Sequence, residues 1–160
     1  MKALITGASS GIGRDMARIL SQKGYELIAV ARDEEKLEQL KSELKTNVKI
    51  IAIDISNVEN CKKIYEENKD IDILINNAGF GDCGYFAETN LEKDVQMINT
   101  NVLATHVLTK LYLKEMTEKN SGKILNVASI AGFMPGPLMA TYYSTKNYVV
   151  KHSEAIREEL

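Results

Sequence analysis

The stretch Lys2-Ala3-Leu4-Ile5-Thr6-Gly7-Ala8-Ser9-Ser10-Gly11-Ile12-Gly13 decides the fold. Its apolar start, ending in Thr6-Gly7, reads as a short buried strand. Three glycines then lead into Arg14 to Lys23, an amphipathic helical pattern closed by Gly24. In a strand–turn–helix unit of this kind, glycines permit a tight turn and close approach of a pyrophosphate. The helix N-terminus adds free N–H donors and a positive dipole end. The spacing is Gly-x-x-x-Gly-x-Gly, so the Gly-x-Gly-x-x-Gly fingerprint is not met, and a purely structural turn stays open. No Gly-Lys-Ser/Thr follows, which excludes a P-loop.

Outward from this unit the pattern repeats. Tyr25 to Ala31 predicts a second strand. Asp33 to Lys45 predicts a charged helix with Leu37, Leu40 and Leu44 on one stripe. Val48 to Ile53 is a third strand ending at Asp54, and Asn57 to Glu67 a helix with Ser56 or Asn57 as its N-cap. Ile71 to Ile75 is a fourth strand running into Asn76-Asn77-Ala78-Gly79. A loop over Phe80 to Asn90 precedes one long helix, Leu91 to Lys119. Lys123 to Ala128 is a fifth strand, Ser129 to Pro137 a loop, and the final helix starts near Met139. Strands alternating with helices predict parallel βαβ units, and hence an α/β fold. The expected architecture is a Rossmann-like, doubly wound parallel sheet in a three-layer α/β/α sandwich, strand order 3-2-1-4-5. Residues 1–160 form one domain, with the ligand at the carboxyl ends of strands 1 and 4.

Composition narrows the function classes. A chain of 160 residues, 44% hydrophobic and 26% charged, has the make-up of a single soluble globular domain. A net charge of -2 without a lysine–arginine block gives no footprint for nucleic acid. No apolar run approaches the roughly 20 residues of a membrane span. The N-terminus starts almost directly on the first strand, so no signal peptide is expected. Cys61 and Cys83 lack paired spacing, and with only His106 and His152 beside them no metal site is expected. Two thiols in a reducing cytoplasm is the reading.

Two further places carry chemistry. Tyr142 and Lys146 are four residues apart, on one helix face about a turn from each other. A phenol ordinarily ionises near pH ~10, and a neighbouring ammonium favours the phenolate, which suits proton transfer. Tyr143 stands three residues from Lys146 and is the competitor. At the end of the second strand, a carboxylate would hold a ribose 2′-hydroxyl. The sequence has neutral Ala31 followed by Arg32, whose guanidinium suits a 2′-phosphate. NADP(H) is therefore favoured over NAD(H), the alternative being a surface pair of Arg32 with Asp33 or Glu35.

Together, Thr6 to Gly13, Asn76-Asn77-Ala78-Gly79, Asn101, Ser129 and Tyr142-x-x-x-Lys146 resemble the short-chain dehydrogenase/reductase family, in its motif order and over the whole of Met1 to Leu160. The resemblance implies that Gly7, Ser9, Ser10, Gly11, Ile12 and Gly13 cradle the cofactor and that Arg32 reads its 2′-phosphate. Asp54 and Ile55 would contact the adenine end, and Asn76, Ala78 and Gly79 would shape the turn beside the ribose and nicotinamide. It further implies that Ser129 orients the substrate oxygen and that Tyr142 transfers the proton. Lys146 would bind the nicotinamide ribose and lower the tyrosine pKa, while Asn101, at a helix kink, would hold a water that extends the relay. Ser129 as a simple loop cap remains the bland alternative, and Asn99 competes with Asn101. His106 and His152 read as packing or surface residues.

The implied activity is hydride transfer between NADP(H) and a carbonyl or secondary alcohol, by a homodimer or homotetramer paired through the long helix and the Tyr142 helix. Family members continue beyond this point with a sixth strand, a turn over the nicotinamide, a substrate lid and a seventh strand. The expectation is thus a C-terminally truncated member, with the fifth strand an unpaired edge. Phe80, Tyr85, Phe133 and Met134 suggest an apolar substrate pocket. A dinucleotide-binding module without turnover is the second reading; the set Ser129, Tyr142 and Lys146 argues for the enzyme, since pure binding needs no proton relay.

Overall fold

In the computed structural model, which describes residues 1–160, the first strand β1 (Lys2–Thr6) feeds through the glycine turn into α1 (Gly11–Gln22). The helix starts three residues earlier than the amphipathic pattern indicated, because Gly11, Ile12 and Gly13 already belong to its first turn. The chain continues through β2 (Glu26–Ala31), α2 (Glu34–Glu43), β3 (Val48–Ala52), α3 (Val58–Glu67) and β4 (Ile73–Asn76). The predicted long helix is α4 (Leu91–Ile98) and α5 (Thr105–Glu118), joined by a π-helical segment over Asn99–Ala104. Next come β5 (Lys123–Asn126), a 3-10 turn over Ile130–Phe133 inside the predicted loop, and α6 (Ala140–Glu158).

The five strands form one sheet in the order β3-β2-β1-β4-β5, and all four pairings are parallel, as expected. Side chains alternate between its faces, and along β1, β2 and β4 both faces are covered, which is why those strands read as continuous apolar runs. Ala3, Ile5, Leu27 and Ala29 pack with Ala17 of α1 and with Leu37 and Leu40 of α2. Leu4, Ile28, Val30 and Leu74 pack with Ile64 of α3 and with Leu108 and Tyr112 of α5. Burying Leu37 or Leu40, both fully inaccessible, contributes about 2 kcal/mol each.

Side-chain caps fix three helix starts. Asp33 accepts from Lys36 N (3.0 Å), Asn57 from Glu59 N (2.9 Å) and Asn90 from Lys93 N (2.8 Å). From β1 the chain winds outward to β3, then crosses back to β4 and β5 on the other side. The turns after β1 and β4 therefore diverge and leave a crevice at the carboxyl edge of the sheet.

Candidate active site

That crevice is a cleft of about 420 Å³. The turn residues Gly7, Ser9, Ser10, Gly11 and Ile12 line it, with Arg32 from the end of β2 and Asp54 and Ile55 from the end of β3. Ala78 and Gly79 enter from the turn after β4, and Tyr142 and Lys146 from α6.

The turn is built for close approach. Gly7 (φ 68°) and Gly11 (φ 52°) lie in the left-handed region, and a Cβ on Gly7 would stand 2.8 Å from Ala78 Cα. Ser10, the N-cap of α1, makes no side-chain cap bond, and the first turn carries no acidic residue. The N-terminal N–H groups of α1 are therefore left for a ligand, and their charge preference is anionic. The residues present fit a dinucleotide pyrophosphate.

Arg32 is exposed and forms no ion pair: Asp33 caps α2 and pairs with Lys36 (2.8 Å), and Glu35 has no cationic partner. Asp54 turns its carboxylate onto Ser56 N (2.9 Å) and its carbonyl onto Asn60 Nδ2 (2.7 Å), which shapes the edge beneath Ile55.

Lys146 is 6% exposed, and its ammonium donates to the Val127 carbonyl at 3.0 Å. It has no carboxylate partner, and burial pushes its pKa below the ordinary lysine value. Its Nζ lies 5.9 Å from the centre of the Tyr142 ring. Gly81 also packs against that ring, since a Cβ there would stand 3.0 Å from Tyr142 Cδ2. Gly79 is just as confined, since a Cβ there would stand 3.0 Å from Asn101 Oδ1 and 3.3 Å from Lys146 Nζ. At the entrance to α6, Leu138 sits at φ 65°, and its carbonyl accepts from Gly84 N (2.8 Å). That conformation is strained for a leucine and is held by the loop across from it.

Four predicted residues do not line the cleft. Asn76 ends β4 with its side chain facing α5, where Nδ2 donates to Thr109 Oγ1 (3.0 Å) and Asn126 Oδ1 (2.8 Å), so it supports the turn from behind. Gly13 does not line the cleft; it lies beneath the turn, where a Cβ would overlap the Gly7 carbonyl and the Asn77 amide. Ser129 is also outside the cleft lining, and its Oγ accepts from Ala131 N (3.2 Å) as N-cap of the 3-10 turn, leaving its own O–H free to donate. Asn101, on the π-helical segment and 1% exposed, spends its amide on Phe80 O (2.9 Å) and Thr145 Oγ1 (3.1 Å) and accepts from Phe80 N (3.1 Å). Asn101 rather than Asn99 occupies this position.

Sequence reading missed Asn77, which lines the cleft and donates to Thr6 O (3.1 Å) and Gly7 O (3.2 Å). It also missed Thr6, whose hydroxyl accepts from Asn77 N (3.0 Å) and Ala78 N (3.1 Å) and so locks the two turns together. Strand alternation was the available signal: if Asn76 points to one face, Asn77 must point to the other.

Comparison with known proteins agrees with this geometry. The family model described as short chain dehydrogenase matches residues 1–160. The chain belongs to the short-chain dehydrogenase family. Among curated members it is 39% identical over 171 residues to a very-long-chain 3-oxoacyl-CoA reductase of Phaeosphaeria nodorum, covering 99% of this chain and 50% of that one. It is 32% identical over 158 residues to a 3-oxoacyl-[acyl-carrier-protein] reductase of Rickettsia prowazekii, covering 99% and 66%. Among solved members, a short-chain dehydrogenase from Sphingobium yanoikuyae in complex with NADPH superposes with a TM-score of 0.91 at 32% identity, covering 99% of this chain and 65% of that one. The chain spans about half the length of the first curated relatives it matches.

Proposed function

We propose that this chain carries the cofactor-binding and proton-transfer machinery of an NADP(H)-dependent oxidoreductase acting on a carbonyl or secondary alcohol. The observation that carries the reading is convergence: the glycine turn, Arg32, Tyr142 and Lys146 are far apart in sequence yet line one cleft. When bound, the cofactor supplies or accepts the hydride. The chain's own residues do the rest. The turn and the α1 N-terminus hold the pyrophosphate, and the unpaired Arg32 guanidinium holds the 2′-phosphate, with Asp54 and Ile55 along the adenine side.

Tyr142 passes a proton to the substrate oxygen in reduction and takes it back in oxidation. The buried Lys146 ammonium stands beside the Tyr142 ring and binds the nicotinamide ribose. The free O–H of Ser129 donates to the same substrate oxygen, so that negative charge growing there meets two donors. A water beside Asn101 extends the proton path from Lys146.

For the substrate we propose a 3-oxoacyl thioester, the group for which both curated relatives above are named. Exposed apolar side chains after β5 (Phe133 67%, Met134 54%, Leu138 45%) support an acyl-chain path. The exposed stripe Leu91, Val95, Ile98 and Leu103 along α4 and the π-helical segment supports a homodimer or homotetramer paired through this face. No helix is long and apolar enough to cross a membrane. We place the protein in the cytoplasm, in keeping with two free thiols.

The deciding experiment follows NADPH absorbance with a panel of 3-oxoacyl thioesters, ketones and aldehydes. Tyr142→Phe should lower kcat by about 10²- to 10⁴-fold, the usual worth of a positioned acid–base, while NADPH still binds. Equal turnover in the variant would remove Tyr142 from the mechanism. Cofactor binding with no turnover in the parent would favour a binding module.

A further inference from the structure

Asn101 and Tyr142 lie on different elements, and a single hydroxyl joins them. Thr145 is 3% exposed. Its Oγ1 accepts from Asn101 Nδ2 at 3.1 Å and donates to the Tyr142 carbonyl at 2.7 Å. Asn101 in turn grips the Phe80 peptide by both its N–H and its C=O. The next residue, Gly81, packs against the Tyr142 ring. The contacts therefore close a ring: Tyr142 side chain, Gly81, Phe80, Asn101, Thr145 and back to the Tyr142 backbone.

We infer that Thr145 is a positioning residue for proton transfer, fixing where the Tyr142 ring stands relative to Gly81 and Lys146. This rests on Tyr142 being the proton-transfer group. A threonine inside a helix can direct its hydroxyl to a carbonyl of the preceding turn, which here is the carbonyl of the reactive residue itself. The same oxygen is the only acceptor on α6 for the buried Asn101 amide. Without the hydroxyl, that amide hydrogen loses its partner in a site closed to water, and the π-helical segment and α6 lose their polar link beside Tyr142. Displacing a reacting group is costly because rate depends steeply on alignment. Thr145 does not itself line the cleft, and its hydroxyl faces Asn101 and the Tyr142 backbone, so cofactor binding should be spared.

The test compares Thr145→Val, which keeps the shape and removes the hydroxyl, with Thr145→Ser, which restores it. Thr145→Val should lower kcat by about tenfold or more and displace the limb of the kcat–pH profile that Tyr142 controls, with NADPH affinity by fluorescence within about twofold. Thr145→Ser should recover most of kcat and the parent profile. A Thr145→Val protein with parent kcat and profile would overturn the inference, as would Thr145→Ser as impaired as Thr145→Val. Should Thr145→Val not fold, Thr145→Ser against Thr145→Cys makes the same comparison, since a thiol is a weak donor and acceptor.

A phenolate absorbance titration, with Tyr142→Phe subtracted, reads the Tyr142 environment without turnover. It therefore decides the case even if no carbonyl substrate is turned over. A Tyr142 titration moved by Thr145→Val and restored by Thr145→Ser supports the inference; an unmoved one defeats it.

Discussion

At the residue scale, the glycine turn and Arg32 separate binding from stability. Gly13 has no room for a side chain because the Gly7 carbonyl, which is backbone and cannot swing aside, occupies the place of its Cβ. Gly13→Ala should therefore cost about 1–3 kcal/mol, as over-packing does, seen as a lowered urea midpoint, and should weaken NADPH as the turn shifts. Arg32 has the opposite profile. It is exposed and unpaired, so Arg32→Ala should leave the urea midpoint unchanged. It should raise the Kd for NADPH by about tenfold or more, the worth of a charge-assisted hydrogen bond of roughly 1.5–3 kcal/mol. The Kd for NADH should barely move; equal losses for both cofactors would remove the 2′-phosphate assignment.

At the element scale, the same residue type does different work according to what packs on it. Tyr112 of α5 is fully buried, its ring edge-on to Tyr65 at 5.1 Å, and its hydroxyl donates to the Asn68 carbonyl at the end of α3 (2.9 Å). Burial holds that phenol well above the ordinary tyrosine range, so it is a tie between helices and no acid–base. Tyr112→Phe should cost about 1 kcal/mol, the net worth of one hydrogen bond, in chemical denaturation, with NADPH binding unchanged. The long helix shows where pattern reading stops. Apolar spacing predicts one helix from Leu91 to Lys119, and its extent is nearly right. The π-helical segment at Asn99–Ala104 turns Asn101 toward Phe80 and Thr145, a single-turn departure of the kind found at functional sites. Family resemblance placed a kink there; periodicity did not.

At the scale of the whole molecule, α5 and α6 are joined by a titratable cluster. His106 Nδ1 lies 2.7 Å from Tyr148 Oη, and His152 stacks on Tyr148 with centroids 5.2 Å apart and 5.0 Å from His106. Burial first, and then His106 and Lys110, push the His152 pKa below its ordinary value, against an opposing pull from Glu159. The unfolded chain therefore takes up this proton more readily than the folded one. Stability present above the unfolded value, about 6.5, is lost as pH falls from there through the folded-state value. The urea midpoint should drop between pH 7.5 and 5.5, and His152→Gln should flatten that drop; an identical drop in the variant would exclude His152 as its source. The carboxylates held low by lysine or arginine partners, such as Asp33, Glu43 and Asp82, act only near pH ~4 and below and do not confuse the window.

The sequence alone determined the parallel sheet, its order, the glycine turn and the Tyr142–Lys146 pair, because each is written in local spacing or in the alternation of apolar runs. Tertiary structure alone decided the partners between distant residues. Asn76 faces Thr109 while Asn77 faces the glycine turn, Ser129 caps a turn at the cleft's edge, and Thr145 ties Asn101 to Tyr142. Those assignments depend on which face of a strand end or helix turn meets which neighbour across the fold, and hydrogen bonds between groups tens of residues apart leave no periodic trace in the chain.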